Sequence, residues 1–288
     1  MESCCAKEYE YVVKHAGVPI GIPYPYIRDE AGDKEMWLVG PEHGRSYLVG
    51  HEPDGRFVIS KGNGLSYTRF PFINTGEMGE DSWGLLLKKD AERDFQLGQE
   101  VAALGIKTNK MQYVLELDCP LIVHGKELKP YLLQYSVECP YRITDAAFIP
   151  RKTIEEQVAR WPRKNEYRYL DAAEVLIKNL YILHKNRVLH NAITPQNYTW
   201  ALELLDFELA SSPRTPYDQE DYQRHVQVLM SREIIHTYQI IIYIAAVLGE
   251  RQDDSILDAL YKSYGFDIET NVIHSKQHET NLINSLYV

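Results

Sequence analysis

Short runs of alternating apolar and polar residues fill the first half of the chain, and glycine and proline interrupt them from Gly17 to Gly84. Alternation with a period of two predicts strands, and the intervening glycines and prolines predict tight turns. The segment 52–55 is one such turn, because Pro53 presets φ and Gly55 permits a positive φ. The pattern predicts an antiparallel meander with strands at Met36–Val39, Ser46–Val49, Arg56–Ser60 and Trp83–Lys88.

Helical spacing of apolar residues begins after this region and dominates the second half. It predicts a helix from Ala91 to Leu104, with Gly105 as its C-cap, before two more strands at Met111–Leu117 and Leu132–Val137. The second half is predicted to hold a short hairpin, formed by Val188–His190 and Tyr198–Leu205. The helices predicted there are Tyr169–Lys185, Asp221–Ile235, Tyr238–Leu248 and Ser255–Tyr264.

A β-rich first half with one helix, followed by a helical second half, is the element order of a protein kinase. The segment Ser136–Ile143 has no strong periodicity, and we interpret it as the crossover between the two halves. The predicted fold class is therefore α+β, with a bilobal, protein-kinase-like fold. Residues 1–135 are predicted to form the N-lobe, and residues 136–288 the C-lobe.

Composition and charge narrow the possible partners. The net charge of −10 disfavours a broad nucleic-acid-binding face, although a single nucleotide needs only a few cations. The longest apolar run, Ile240–Leu248, is much shorter than the roughly 20 residues that span a bilayer. The four cysteines lack zinc-site spacing, and no secretory signal is visible. We expect a cytoplasmic protein that binds neither nucleic acid nor membrane.

The segment that indicates chemistry runs from His190 to Asp206. In protein kinases the catalytic-loop His is followed seven positions later by an Asn, and an Asp follows after a short hairpin. His190, Asn197 and Asp206 have this order and spacing. An amide oxygen and a carboxylate are the hard ligands that Mg²⁺ takes beside a polyphosphate. A buried core His, a turn Asn and a capping Asp are the alternatives that the sequence leaves open.

The first half supplies a lysine and a glutamate for the same site. Lys61 ends a predicted strand, and Glu100 lies on the helix that follows. In kinases a strand Lys and a helix Glu form the ion pair that positions the phosphates. We therefore predict a Lys61–Glu100 ion pair. The candidate catalytic residues are Lys61, Glu100 and His190, and the candidate metal ligands are Asn197 and Asp206.

Four segments between residues 45 and 210 resemble motifs of the selenoprotein O family, which has a kinase-like fold and transfers AMP from ATP to proteins. Lys61–Arg69 resembles K-G-x-G-R-T-P-Y-S-R with one residue fewer, and Arg93–Ile106 resembles R-E-x-x-x-S-E-A-x-x-A-L-G-I. Cys139–Arg142 resembles the family's S-x-x-R segment. His190–Asp206 resembles H-G-x-x-N-T-D-N followed by D-Y-G, with similar spacing.

The resemblance implies ATP and Mg²⁺ (or Mn²⁺) as cofactors and an unidentified protein as acceptor. It implies that ATP lies flipped relative to ordinary kinases, so that the α-phosphate faces the acceptor. By similarity Asn197 and Asp206 would bind the metal, and Glu100 would orient Lys61. The residues implied to contact the nucleotide phosphates are Lys61, Gly62, Gly64, Arg69 and Arg142.

The chain departs from both patterns at positions that bear on catalysis. The kinase base position is Ala192, and the acid that the selenoprotein O family places before the Asn is Gln196. Leu65 replaces the Arg of G-R-T, and Glu208 replaces the Gly of D-Y-G. Three functions therefore remain: a protein adenylyltransferase, a phosphotransferase acting on a protein or small molecule, and a pseudokinase that serves as an interaction module.

Overall fold

The structure is a computed structural model that describes residues 11–13, 46–62, 86–117, 121–123, 126–128, 131–216 and 219–269. The predicted strand Met36–Val39 and the candidate phosphate-binding residues Gly64 and Arg69 lie outside these ranges. The predicted strand Trp83–Lys88 lies partly outside them. Within it, Leu86 forms a single bridge to Tyr131, and Lys88 already begins a helix.

The first part of the chain forms a five-stranded antiparallel sheet with the order β1-β4-β7-β3-β2. Its strands are β1 (Tyr11–Val13), β2 (Ser46–His51), β3 (Phe57–Lys61), β4 (Lys110–Leu117) and β7 (Tyr131–Val137). A separate two-stranded hairpin consists of β5 (Leu121–Val123) and β6 (Lys126–Leu128). The central strand β7 is buried along its whole length.

Helix α1 (Lys88–Ala103) packs on this sheet and joins it to the rest of the molecule. Ala91 and Phe95 belong to the apolar cluster under the sheet. Leu97 and Val101, further along the helix, belong to the larger cluster of the helical part. Because one helix contributes to both cores, a polar side chain on its buried stripe lies close to the junction of the two parts.

The second part is helical. Its helices are α2 (Arg151–Ala159), α3 (Arg168–Lys185), α4 (Gln219–Leu248) and α5 (Asp254–Ser263), and 3₁₀ turns lie at Ile143–Ala147 and Pro195–Asn197. Helix α2 was not predicted. The two helices predicted between Asp221 and Leu248 are one helix, because no Gly or Pro separates them.

The short hairpin predicted in this part pairs differently from the prediction. Leu189 bridges to Ser211, whereas the segment 198–205 folds back on itself through a Tyr198–Leu204 bridge. The hairpin from Tyr198 to Leu205 therefore leads directly from Asn197 to Asp206. Its second arm also contacts the loop after α1, since Leu204 N donates to Lys107 O over 3.0 Å.

The α+β, protein-kinase-like architecture predicted from the sequence is confirmed. Over the ranges given above, a five-stranded antiparallel sheet, the β5–β6 hairpin and helix α1 come first, and a helical part follows β7. The division into residues 1–135 and 136–288 stays a prediction. Among the described residues, no helix combines the length and the apolar character that crossing a membrane requires.

Candidate functional site

Lys61, the last residue of β3, lies among three carboxylates. Its Nζ is 2.7 Å from Asp94 Oδ2, 2.7 Å from Asp206 Oδ1 and 2.6 Å from Glu208 Oε1. The lysine side chain is only 2% exposed. Strand β3, helix α1 and the segment after the hairpin thus meet at one ammonium group.

Asp94 links the lysine to the backbone beside Asp206. Its Oδ2 accepts from Lys61, and its Oδ1 accepts from Phe207 N over 2.9 Å. Burial raises the pKa of Asp94, the charge of Lys61 lowers this pKa, and the nearby Asp206 and Glu208 carboxylates raise it further. Asp94 is thus a buried carboxylate with a compensating cation and a backbone donor, as burial of such a charge requires.

The predicted ion pair between Lys61 and Glu100 is wrong. Glu100 Oε2 accepts a hydrogen bond from Ser212 Oγ over 2.9 Å, and Asp94 takes the position beside Lys61. The two acids are six residues apart on α1, which places them on different faces of a helix with 3.6 residues per turn. Asp94 shares the buried stripe with Ala91, whereas Glu100 lies closer to the segment that follows Asp206.

Asp206 has a left-handed backbone conformation, with φ of +68°. This region is uncommon for residues other than glycine, although Asp and Asn enter it more readily than most. The preceding residue holds the turn in place, because Leu205 N donates to Asn197 O over 2.9 Å. Unusual backbone conformations of this kind concentrate at functional sites, where surrounding contacts maintain them.

Asn197 is buried, and both ends of its amide bind within the protein. Its Nδ2 donates to Ala192 O over 2.9 Å, and its Oδ1 accepts from Arg142 Nη1 over 3.2 Å. Since a carbonyl oxygen has two lone pairs, Oδ1 retains one acceptor position beside the arginine. These two hydrogen bonds fix the orientation of the amide. The metal-binding role of Asn197 stays a prediction.

His190 is fully buried, and its ring connects two backbone segments. Nε2 lies 2.8 Å from Leu205 O, and Nδ1 accepts from Ala192 N over 3.3 Å. Nε2 therefore carries the proton, and burial lowers the pKa of His190, which favours the neutral ring. The catalytic role predicted for His190 does not fit this position, because the ring cannot reach a substrate. It positions the residues on either side of the site.

Besides Lys61, two of the predicted phosphate-binding residues are described, Gly62 and Arg142. Arg142, which is 6% exposed, donates through Nη1 to Gln196 O over 2.8 Å as well as to Asn197. Within the described part of the chain, the hydrogen bonds of this guanidinium all come from Nη1. Gly62 has φ of +96°, and a Cβ there would lie 2.7 Å from Tyr131 O, so the turn after Lys61 requires glycine.

Sequence reasoning missed Asp94, Glu208 and Arg93 as parts of the site. The helical periodicity contained a signal for Asp94, because a charged residue on an apolar stripe needs a buried partner. Arg93 donates to the carbonyl oxygens of Ala210, Thr215 and Pro216 over 3.1–3.3 Å, and it thereby fixes the segment after Glu208 against α1. Only the folded chain brings this segment to the helix.

The site offers oxygen ligands for a hard divalent cation. One carboxylate oxygen from each of Asp94, Asp206 and Glu208 lies within 4.8 Å of the others. Asp206 and Glu208 are 23% and 15% exposed, so an ion can reach them without unfolding the site. Carboxylate oxygens are the ligands that Mg²⁺ and Mn²⁺ prefer, and the donor set therefore fits the metal that the sequence analysis expected.

No family model matches the chain, and no curated protein matches it. Two solved structures are similar to it at low sequence identity. A Stt7 homolog from Micromonas algae, in a crystal soaked with ATP, is 13% identical over 88% of this chain and 86% of its own, with a TM-score of 0.44. The Toxoplasma gondii rhoptry antigen kinase domain is 10% identical over 70% and 66%, with a TM-score of 0.40. The resemblance to the selenoprotein O family stays a prediction.

Proposed function

We propose that this chain binds ATP together with Mg²⁺ or Mn²⁺ beside Lys61 and transfers AMP to a hydroxyl group of a protein. The observation that carries the nucleotide-binding part is the buried ammonium of Lys61 in contact with Asp94, Asp206 and Glu208. In kinases, a strand lysine is held by a helix carboxylate and lies next to the metal-binding Asp. Kinases bind Mg–nucleotide through this arrangement.

Charge explains why this site favours a metal–polyphosphate complex. Carboxylate oxygens of Asp94, Asp206 and Glu208 converge within 4.8 Å, which favours a divalent cation. The partly exposed Asp206 and Glu208, together with the amide of Asn197, would supply the oxygen atoms to hold it. With a cation bound there, Lys61 no longer has to neutralise three carboxylates and can donate to a phosphate oxygen. Arg142 has further N–H groups for the same purpose, and the backbone of Gly62 lies at the end of the strand.

The AMP-transfer part rests on the four sequence segments that resemble the selenoprotein O family. Transfer to a hydroxyl depends mainly on positioning and on stabilisation of charge, and a general base adds about 10²–10⁴-fold. The chain has Ala192 at the kinase base position, and Gln196 has no carboxylate. We therefore expect slow turnover in comparison with an enzyme that has the base.

Ala192 also favours a second candidate function. A chain that binds nucleotide but lacks the proton acceptor can serve as a pseudokinase, in which the nucleotide stabilises an interaction surface. A phosphotransferase that transfers the γ-phosphate is the third candidate. The three candidates differ in which phosphorus atom of ATP is transferred, if any.

Labelled ATP distinguishes these functions. We expect label from α-³²P-ATP, with Mg²⁺ or Mn²⁺, to appear on protein, and label from γ-³²P-ATP not to appear. Transfer of γ-label alone would replace the AMP proposal with phosphotransfer. No transfer of either label, together with a metal-dependent rise in Tm on adding nucleotide, would support the pseudokinase.

Asp206→Asn tests the site itself, because Asn tolerates the left-handed backbone but lacks the carboxylate charge. We expect Mg–ATP affinity, measured by calorimetry, to fall by at least about tenfold, or about 1.4 kcal/mol. The matched control is Asp258→Asn on α5, whose carboxylate pairs with Lys262 at the surface, and its affinity should equal that of the wild type. Equal affinities in the two variants would contradict the assignment.

A further inference from the structure

The carboxylate of Glu203, on the hairpin that leads to Asp206, is fully buried and accepts hydrogen bonds from the crossover after β7. Glu138 N donates to both oxygens over 2.9 and 3.0 Å, and Cys139 N donates to Oε2 over 3.3 Å. Thr199 Oγ1, on the opposite arm of the hairpin, also donates to Oε2 over 3.2 Å. One side chain thus joins the crossover to the hairpin.

The same carboxylate contacts the strand side of the molecule through Arg56. Arg56 Nη2 lies 3.0 Å from Glu203 Oε1 and 3.0 Å from Ser136 O, and its Nε donates to Ser136 Oγ over 3.1 Å. Lys107, in the loop after α1, donates to Glu138 Oε2 over 2.7 Å and to Ala201 O over 3.0 Å. The turn before β3 and the loop after α1 therefore meet the hairpin at the crossover.

A buried carboxylate is stable only with enough donors to replace water, and here backbone amides, a hydroxyl and a guanidinium supply them. Burial raises the pKa of Glu203, whereas the Glu138 N–H group and the charge of Arg56 lower it. Such a network holds its members in one arrangement, and loss of one partner is costly because the others stay buried. The network therefore links the two parts at the crossover.

We propose that Glu203 is a positioning residue that fixes the hairpin, and with it Asp206, relative to β3 and α1 before any ligand binds. Glu203 is three residues before Asp206, and Leu205 between them is already bonded to Asn197 and His190. A site assembled in this way loses less conformational entropy when a nucleotide binds. The consequence for affinity rests on the proposed function, whereas the consequence for the fold does not.

The amide of Phe207 reports on this arrangement without a ligand, because it donates to Asp94 across the junction. In Glu203→Gln the side-chain NH₂ faces one of the donors whichever way it turns, since both carboxylate oxygens accept hydrogen bonds. We expect the amides of Glu138, Cys139 and Phe207 to exchange with solvent about tenfold faster, measured residue by residue by NMR. Amides in the core of α3 should keep their wild-type rates.

The matched control is Glu250→Gln. Glu250 also accepts from two backbone amides, those of Arg168 and Tyr169, over 2.9 and 2.8 Å, but at the start of α3. This variant should leave the exchange of Phe207 unchanged. An unchanged Phe207 rate in Glu203→Gln, or equal acceleration of all amides, would overturn the proposal. If Glu203→Gln does not fold, Arg56→Gln removes the guanidinium and should accelerate the same amides.

Nucleotide affinity separates this proposal from the proposed function. If the wild type binds Mg–ATP, we expect Glu203→Gln to bind it about tenfold more weakly, while Glu250→Gln binds it normally. If the wild type binds no nucleotide, the proposed function fails, and the exchange rates still decide the role of Glu203. Wild-type affinity and a wild-type Phe207 rate in Glu203→Gln would show that the carboxylate has no positioning role.

Discussion

Removing the charge of Lys61 should cost far more stability than removing the charge of Asp94, although the two side chains form one ion pair. Lys61→Met keeps the length and apolar stem of the side chain but leaves three carboxylates without their shared cation. Asp94→Asn keeps an oxygen that can accept from Phe207 N. The comparison therefore tests whether the four groups act as one site.

The distances determine the expected sizes. With an effective dielectric constant of about 20, a unit-charge attraction at 2.7 Å is about 6 kcal/mol, and a repulsion at 4.8 Å is about 3.5 kcal/mol. Asp94→Asn loses one such attraction, but it also removes two repulsions of at least about 3.5 kcal/mol each and the desolvation of a buried carboxylate. The lost attraction is therefore fully offset, and we expect the free energy of unfolding to fall by no more than about 1 kcal/mol. Lys61→Met loses three attractions, and we expect a loss of about 3–5 kcal/mol.

Urea unfolding at pH 7 without divalent metal measures both changes. In Lys61→Met the Asp94 carboxylate loses the cation that lowers its pKa, so this pKa rises further in the folded state. A raised carboxyl pKa gives stability that is present at low pH and is lost as pH rises through it. The deficit of Lys61→Met should therefore shrink towards pH 5, and added Mg²⁺ should also reduce it.

Glu100→Gln is the control for this comparison, because Glu100 is the acid that the sequence pattern paired with Lys61. Its amide can still accept from Ser212, so its stability should stay within about 0.5 kcal/mol of the wild type. If Asp94→Asn destabilises the chain as much as Lys61→Met does, the reasoning from charge balance is wrong. A Lys61→Met deficit that is independent of pH would have the same meaning.

Three further predictions concern Gly62 and Cys139. Gly62→Ala places a methyl group 2.7 Å from Tyr131 O at a positive φ. The free energy of unfolding should therefore fall by about 1–3 kcal/mol in the same urea assay. An unchanged value would show that the turn can relax. Burial raises the pKa of the Cys139 thiol from 9.0 to about 12. At pH 8 iodoacetamide should therefore modify Cys139 much more slowly in the native chain than in urea, and peptide mapping measures this difference. Between pH 9 and 12 the unfolded chain loses a thiol proton that the folded chain keeps, so stability should fall over this window, and less steeply in Cys139→Ala.

The sequence by itself determined the elements and the local part of the site. Periodicity placed α1 and α3 within three residues of their observed ends, because burial of one apolar stripe decides a helix locally. His190, Asn197 and Asp206 lie on one short stretch of chain, and only the hairpin at 198–205 separates the last two. Their order and spacing could therefore be read from the sequence. The substitutions at Ala192 and Glu208 could likewise be seen in the sequence alone.

Only the tertiary structure decided which distant residues meet. Asp94 rather than Glu100 reaches Lys61, because the rotation of α1 about its axis follows from packing against both cores. Arg56 and Glu203 are 147 residues apart, and no local pattern indicates that they form one network at the crossover. His190 changes from a catalytic candidate to a positioning residue for the same reason: burial depends on what packs over the ring, and these contacts come from other parts of the chain.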